Sequence, residues 1–90
     1  MAFTKAEAVE RARQDLAQRA HVSESAIEES VEDAEFPDMA LGAAASDEMS
    51  GQMITRGWRI RLKANRQTFE YRANRHQLRL YNYKGGNYKI

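Results

Sequence analysis

The sequence predicts an α+β domain: one N-terminal helix packed on a four-stranded antiparallel meander sheet, a two-layer sandwich. Three observations carry this expectation. Residues 58–83 contain three runs in which apolar and polar side chains alternate, the period of a half-buried strand. Two short polar gaps, Asn65-Arg66 and Asn74-Arg75-His76, separate the runs, and asparagine tolerates the left-handed backbone of tight turns. Ahead of them, residues 4–20 repeat apolar side chains at helical spacing behind a capping signature.

The helix comes first. Thr4-Lys5-Ala6-Glu7 fits a capping box, and Val9, Ala12, Leu16, Ala17 and Ala20 form a narrow stripe of small side chains that permits close approach to a sheet. Glu7–Arg11, Arg11–Asp15 and Asp15–Arg19 are opposite charges four residues apart, each worth about 0.2–0.5 kcal/mol. His21-Val22-Ser23 ends the helix, and Ser23 can cap a short turn near 24–27. In the acidic run that follows, Ala34 and Phe36 alternate with Asp33 and Glu35, and Pro37 disfavours helix before it; we expect a strand over 30–36.

Residues 37–51, PDMALGAAASDEMSG, form a connection longer than compact domains usually carry without a role. It reads either as a flexible insertion with Met39 and Leu41 tucked against the core, or as an interaction loop offering Asp38, Met39, Leu41 and Met49. The remaining strands are expected over 52–64, with Gly57 as a bulge or bend, 67–73 and 77–83. Residues 84–90 are turn-like and read as a flexible end. The expected core is Val9, Leu16, Val31, Phe36, Ile54, Trp58, Ile60, Leu62, Phe69, Tyr71, Leu78 and Leu80.

Ninety residues with 42% hydrophobic content suggest one domain spanning 1–90. The absence of cysteine excludes disulfides, thiolate metal sites and a thiol nucleophile, and fits a reducing compartment. No apolar run approaches the roughly 20 residues of a membrane span, and the N-terminus lacks a signal pattern. The expectation is a cytoplasmic monomer without membrane insertion.

The net charge of +1 hides an asymmetry. Residues 1–48 hold four bases and twelve acids, and residues 49–90 hold ten bases and one acid, Glu70. If the 30–36 and 52–64 strands pair, the acids of 28–35 meet Arg59, Arg61 and Lys63.

Nothing in the sequence assembles a reaction centre. His21 and His76 are far apart and without cysteine, which is too little for a metal. The carboxylates read as a solvated face, Ser46 and Ser50 lack a nucleophile elbow, and Gly85-Gly86 does not open a helix. No catalytic residue, cofactor or metal is expected, and the chain does not read as an enzyme. One constellation stands out, the outer sheet face of Arg59, Arg61, Lys63, Arg72, Arg79, Tyr81 and Tyr83. Bases interleaved with tyrosines can hold phosphates and stack bases.

Pro37-Asp38, Leu41-Gly42, Thr55-x-Gly57-Trp58-Arg59-Ile60-x-Leu62 and Phe69-x-Tyr71 together resemble a small bacterial domain family of unknown function. Where that family usually carries Cys-Pro after Leu-Gly, this chain has Ala43-Ala44, so a disulfide implied by the resemblance is absent. The resemblance supplies no activity. One helix followed by a meander is also similar to small inhibitory or regulatory domains. Three readings follow: a non-catalytic protein-interaction or regulatory domain with an unknown protein partner, a nucleic-acid or other polyanion binder using the basic face, and a protease-inhibitor-like domain presenting loop 37–51.

Overall fold

The computed structural model describes residues 2–90. Helix α1 runs Lys5–Ala20, a 3-10 turn follows at Glu24–Ala26, and strands β1 (Glu28–Phe36), β2 (Thr55–Ala64), β3 (Gln67–Ala73), β4 (Leu78–Tyr83) and β5 (Gly86–Lys89) form one sheet in the order β1-β2-β3-β4-β5. Every neighbouring pair is antiparallel.

The capping box forms as read: the Glu7 amide donates to the Thr4 hydroxyl at 3.1 Å, and the Thr4 amide donates to Glu7 at 2.9 Å. At the other end His21 takes the left-handed conformation that stops a helix, with φ 56°. Ala8, Val9, Ala12 and Leu16 share one core with Ile60, Leu62, Tyr71 and Leu80. One polar contact joins them. The Tyr71 hydroxyl, on a fully buried residue, donates to Asp15 at 2.7 Å, and Asp15 is held by Arg19 through two bonds of 3.0 and 3.2 Å. Burial and the adjacent carboxylate push the Tyr71 hydroxyl above its usual range, so it stays a donor. Arg19 is raised too, chiefly by its bond to Asp15.

The sheet has five strands, not four. The segment 84–90, read as a loose end, turns back through Lys84 (φ 51°) and Gly85 (φ 84°) and adds β5. Two successive left-handed residues make the turn that suits a two-residue hairpin, and Asn65 and Arg66 (φ 51° and 62°) do the same between β2 and β3. In the third hairpin the Asn74 side chain accepts from the His76 and Gln77 amides, closing an Asx turn.

Two core expectations and one strand detail need correction. Ile54 is 68% exposed, because β2 begins at Thr55 rather than at 52. Phe36 is buried but outside the helix-side core: β1 pairs Val31 with Ile60, and a residue five positions further on points to the opposite face. Gly57 is no bulge, since the register continues from Ala34↔Gly57 to Trp58↔Ala73. A Cβ at Gly57 would overlap the Ala73 carbonyl oxygen, so the glycine admits a close strand.

Candidate functional site

The outward face of the sheet carries the sequence-predicted basic row, and the register shows how crowded it is. Glu32, Arg59, Arg72, Arg79 and Lys89 stand directly opposite one another from β1 to β5. Four adjacent cations repel unless carboxylates come between them. Three do. Glu32 bridges Arg59 and Arg61 at 3.3 and 3.2 Å, Glu70 bridges Arg59 and Arg72 at 3.2 and 2.7 Å, and Glu48 takes Arg79 at 2.5 and 2.7 Å and Lys89 at 3.4 Å. Arg79 is only 6% exposed. Its guanidinium and the Ala45 amide hold the Glu48 carboxyl well below the usual range, at about 2.

Glu48 comes from the connection between β1 and β2, which folds over this face. Leu41 and Gly42 are both left-handed (φ 59° and 66°), a reversal at which the Leu41 side chain is fully buried, as are Ala40, Ala43 and Phe36. Asp38 accepts from the Ala40 and Gly42 amides at 2.9 Å each. The Met39 amide meets the Gly51 carbonyl at 2.9 Å, and Ser50 accepts from Ala40 at 2.9 Å. The sheet reaches up in return. Arg72 donates to the Leu41 carbonyl, Gln77 to Met39, and Asn87 to Ala44, at 3.0, 2.7 and 2.9 Å. Arg72 also lies 3.5 Å over the Tyr81 ring and 5.1 Å from that of Phe36, where a cation with an aromatic face gains further attraction.

The predicted interaction face is therefore largely paired within the protein, although only Arg79 of its residues is buried. Arg59, Arg72 and Arg79 are occupied by carboxylates, Tyr81 by Arg72, and Arg61 by Glu32; Lys63, opposite Glu28 in register, remains exposed. Tyr83 is not on this face. The register shifts between Leu80 and Tyr83, with Asn82 at φ 51°, and Tyr83 swings to the helix side, where its ring lies 6.1 Å from Phe69 and 5.5 Å from the Arg19 guanidinium. The charge pairing across β1 and β2 forms in part. Glu32 meets Arg59 and Arg61, but Glu29, Asp33 and Glu35 have the other parity and meet Arg13 and Lys5 of α1 and Arg56 of β2.

Of the predicted interaction loop, Leu41 is buried and Asp38 is spent on its own backbone. Met39 and Met49 face solvent, at 51% and 97% exposure, and Met53 and Ile54 join them at 63% and 68%. Sequence reasoning missed these last two because it placed both in a strand beginning at 52 and counted Ile54 in the core. It also missed Glu48, whose signal is only the spacing Ala45-x-x-Glu48, met here by the Ala45 amide donating to Glu48 at 3.0 Å. Among the described residues no cluster of His, Cys, Asp and Glu is placed to hold a metal, and no helix is long and apolar enough to cross a membrane.

A family model described as "Domain of unknown function (DUF8738)" matches residues 9–81, and the chain belongs to that family. The matched region includes most of α1, the whole covering connection and β1 through the centre of β4. No curated protein matches the chain, and no solved structure does.

Proposed function

We propose that this domain is a non-catalytic protein-binding module whose docking surface is the apolar shoulder of Met39, Met49, Met53 and Ile54. One observation carries the reading. Five large hydrophobic side chains stand exposed among the described residues, and four of them fall between positions 39 and 54. Met39 packs over Gly51, and Met49 and Met53 lie within two residues of Gly51, so the chain itself gathers three of the four. Methionines are adaptable and suit a partner's apolar groove, whereas scattered surface hydrophobics would need no explanation. The covering connection supplies a fixed base, because Asp38, Ser50, Glu48 and the sheet arginines bind its backbone.

The polyanion reading is the weaker one, because Arg59, Arg72 and Arg79 are paired with internal carboxylates and only Arg61 and Lys63 of that face are exposed. An inhibitor loop needs a projecting backbone, and this one folds inward at Leu41. The test is a comparison of three chains in native-cell cross-linking: the parent, Met49→Gln with Met53→Gln, and Lys63→Glu with Arg66→Glu. The reading expects a cross-linked partner that disappears only with the methionine changes. A partner lost only with the charge reversals, or the same products from all three chains, would overturn it.

A further inference from the structure

The two hairpins part at one end of the sheet. β3 and β4 pair from Ala73↔Leu78 only as far as Glu70↔Tyr81, although β3 runs back to Gln67 and β4 on to Tyr83. The Asn74 amide donates to the Gln77 carbonyl across this pair. By alternation, Arg72, Glu70 and Thr68 present their backbone groups toward β4, and Thr68 is left facing the gap. Here the strands and the end of α1 enclose an open cleft of about 600 Å³.

Three left-handed residues line it: Asn65, Asn82 and Lys84. The two-residue turns account for Asn65 and Lys84. Asn82 belongs to no turn. Its bulge re-aims Tyr83, and bulges often serve to direct a side chain at a site. Tyr83 thereby packs beside Phe69, and the pair gives the cleft an aromatic wall.

The charges around that wall select the ligand. Arg19 spends Nε and Nη2 on Asp15, and its Nη1 makes no hydrogen bond within the protein among the described residues. The Lys84 ammonium lies 5.4 Å from the Tyr83 ring and pairs with no carboxylate among the described residues. Glu70, the one carboxylate lining the cleft, is already bound by Arg59 and Arg72. The site is thus positive at its rim, aromatic at its wall, and supplied with an unpaired strand residue.

We propose that this cleft binds a carboxylate carried on a flat apolar group, with Lys84 and Arg19 at the charge and Phe69 and Tyr83 at the ring. That chemistry has two sources, a small aromatic acid and the C-terminal residue of a peptide. Amide-resolved NMR titration of the whole chain tests it, with N-acetylphenylalanine and its carboxamide as probes. The expected result is saturable shifts at Thr68, Phe69 and Asn82–Lys84, with the acid binding about tenfold tighter than the amide, as a charge-assisted bond implies. Lys84→Gln, at an exposed position, should remove most of that advantage and leave the amide's affinity unchanged. A longer probe, N-acetyl-glycyl-glycyl-phenylalanine, identifies the source. A gain of about fivefold or more, from backbone pairing to Thr68, assigns a peptide terminus, and equal affinity assigns a small acid. Absence of saturable shifts at these residues, equal affinity for acid and amide, or acid binding unaffected by Lys84→Gln would overturn the proposal.

Discussion

On one face of the sheet the row Val31, Ile60, Tyr71, Leu80 and Tyr88 meets α1; on the other, the row Glu32, Arg59, Arg72, Arg79 and Lys89 meets a connection that contains neither helix nor strand. The helix side closes by burying apolar surface, a non-directional attraction that tolerates small errors of shape. The loop side closes by matching carboxylates and carbonyls to guanidinium donors, where each bond needs its geometry and a missing partner is costly. A small domain that cannot cover both faces of its sheet with helices has used arginine stems and a short apolar plug of Phe36, Leu41 and Ala43 for the second.

The comparison breaks most visibly at Leu62. It is fully buried on the helix side, and Leu62→Ala should cost about 2–5 kcal/mol and unfold both faces together in a urea titration. Next comes Glu48→Ala. It strands Arg79 in a site 6% exposed, at a cost of about 3 kcal/mol, but its damage should stay local. Hydrogen exchange should accelerate at Ala43 and Ala45 while Tyr71 keeps its protection. Replacing both partners, as Glu48→Leu with Arg79→Met, should restore most of the stability, because a packed apolar pair avoids the desolvation of two charges.

Acid sharpens the same contrast. The Glu48 carboxyl is depressed in the folded state, so its contribution is full above the unfolded value near 4.5 and is lost as pH falls toward about 2. Stability measured across that window should fall more in the parent than in Glu48→Gln, by about 2 kcal/mol at most, given the partial exposure. The smallest effect is a gain. Arg66 holds φ 62° in the β2–β3 turn, and Arg66→Gly should raise stability by about 0.5–1 kcal/mol, readable as a higher midpoint with an unchanged urea slope.

The two faces also differ in how far the sequence discloses them. α1 was legible because Thr4, Glu7 and the Val9–Leu16 spacing all point to one structure, and β2 to β4 because their alternation is long. What stayed hidden depends on long-range partners. Phe36 looked like part of the main core because its parity within β1 was read from Ala34 rather than Val31, and both rows contain an apolar residue. Tyr83 looked like a neighbour of Tyr81 because a bulge at Asn82 leaves no mark on alternation until the register is known. The basic row was visible and its neutralisation was not: Glu48 lies 31 residues from Arg79 in a segment without periodicity. The β5 strand was missed because Lys84-Gly85 is a weaker turn signal than Asn-Gly, and the strand itself is only four residues long.

The connection between β1 and β2 closes the basic face, and its two extremes of exposure can be compared directly. The chain contains no cysteine, so a single introduced thiol reports its own surroundings. Maleimide labelling of Ala43→Cys and Met49→Cys under native conditions compares a position of 0% exposure with one of 97% on the same connection. The thiol at 49 should react as fast as in the unfolded chain, while the thiol at 43 should react at least about a hundredfold more slowly, the factor set by an opening free energy of about 3 kcal/mol. Equal rates at the two positions would mean that the basic face stands open and that the connection does not cover it.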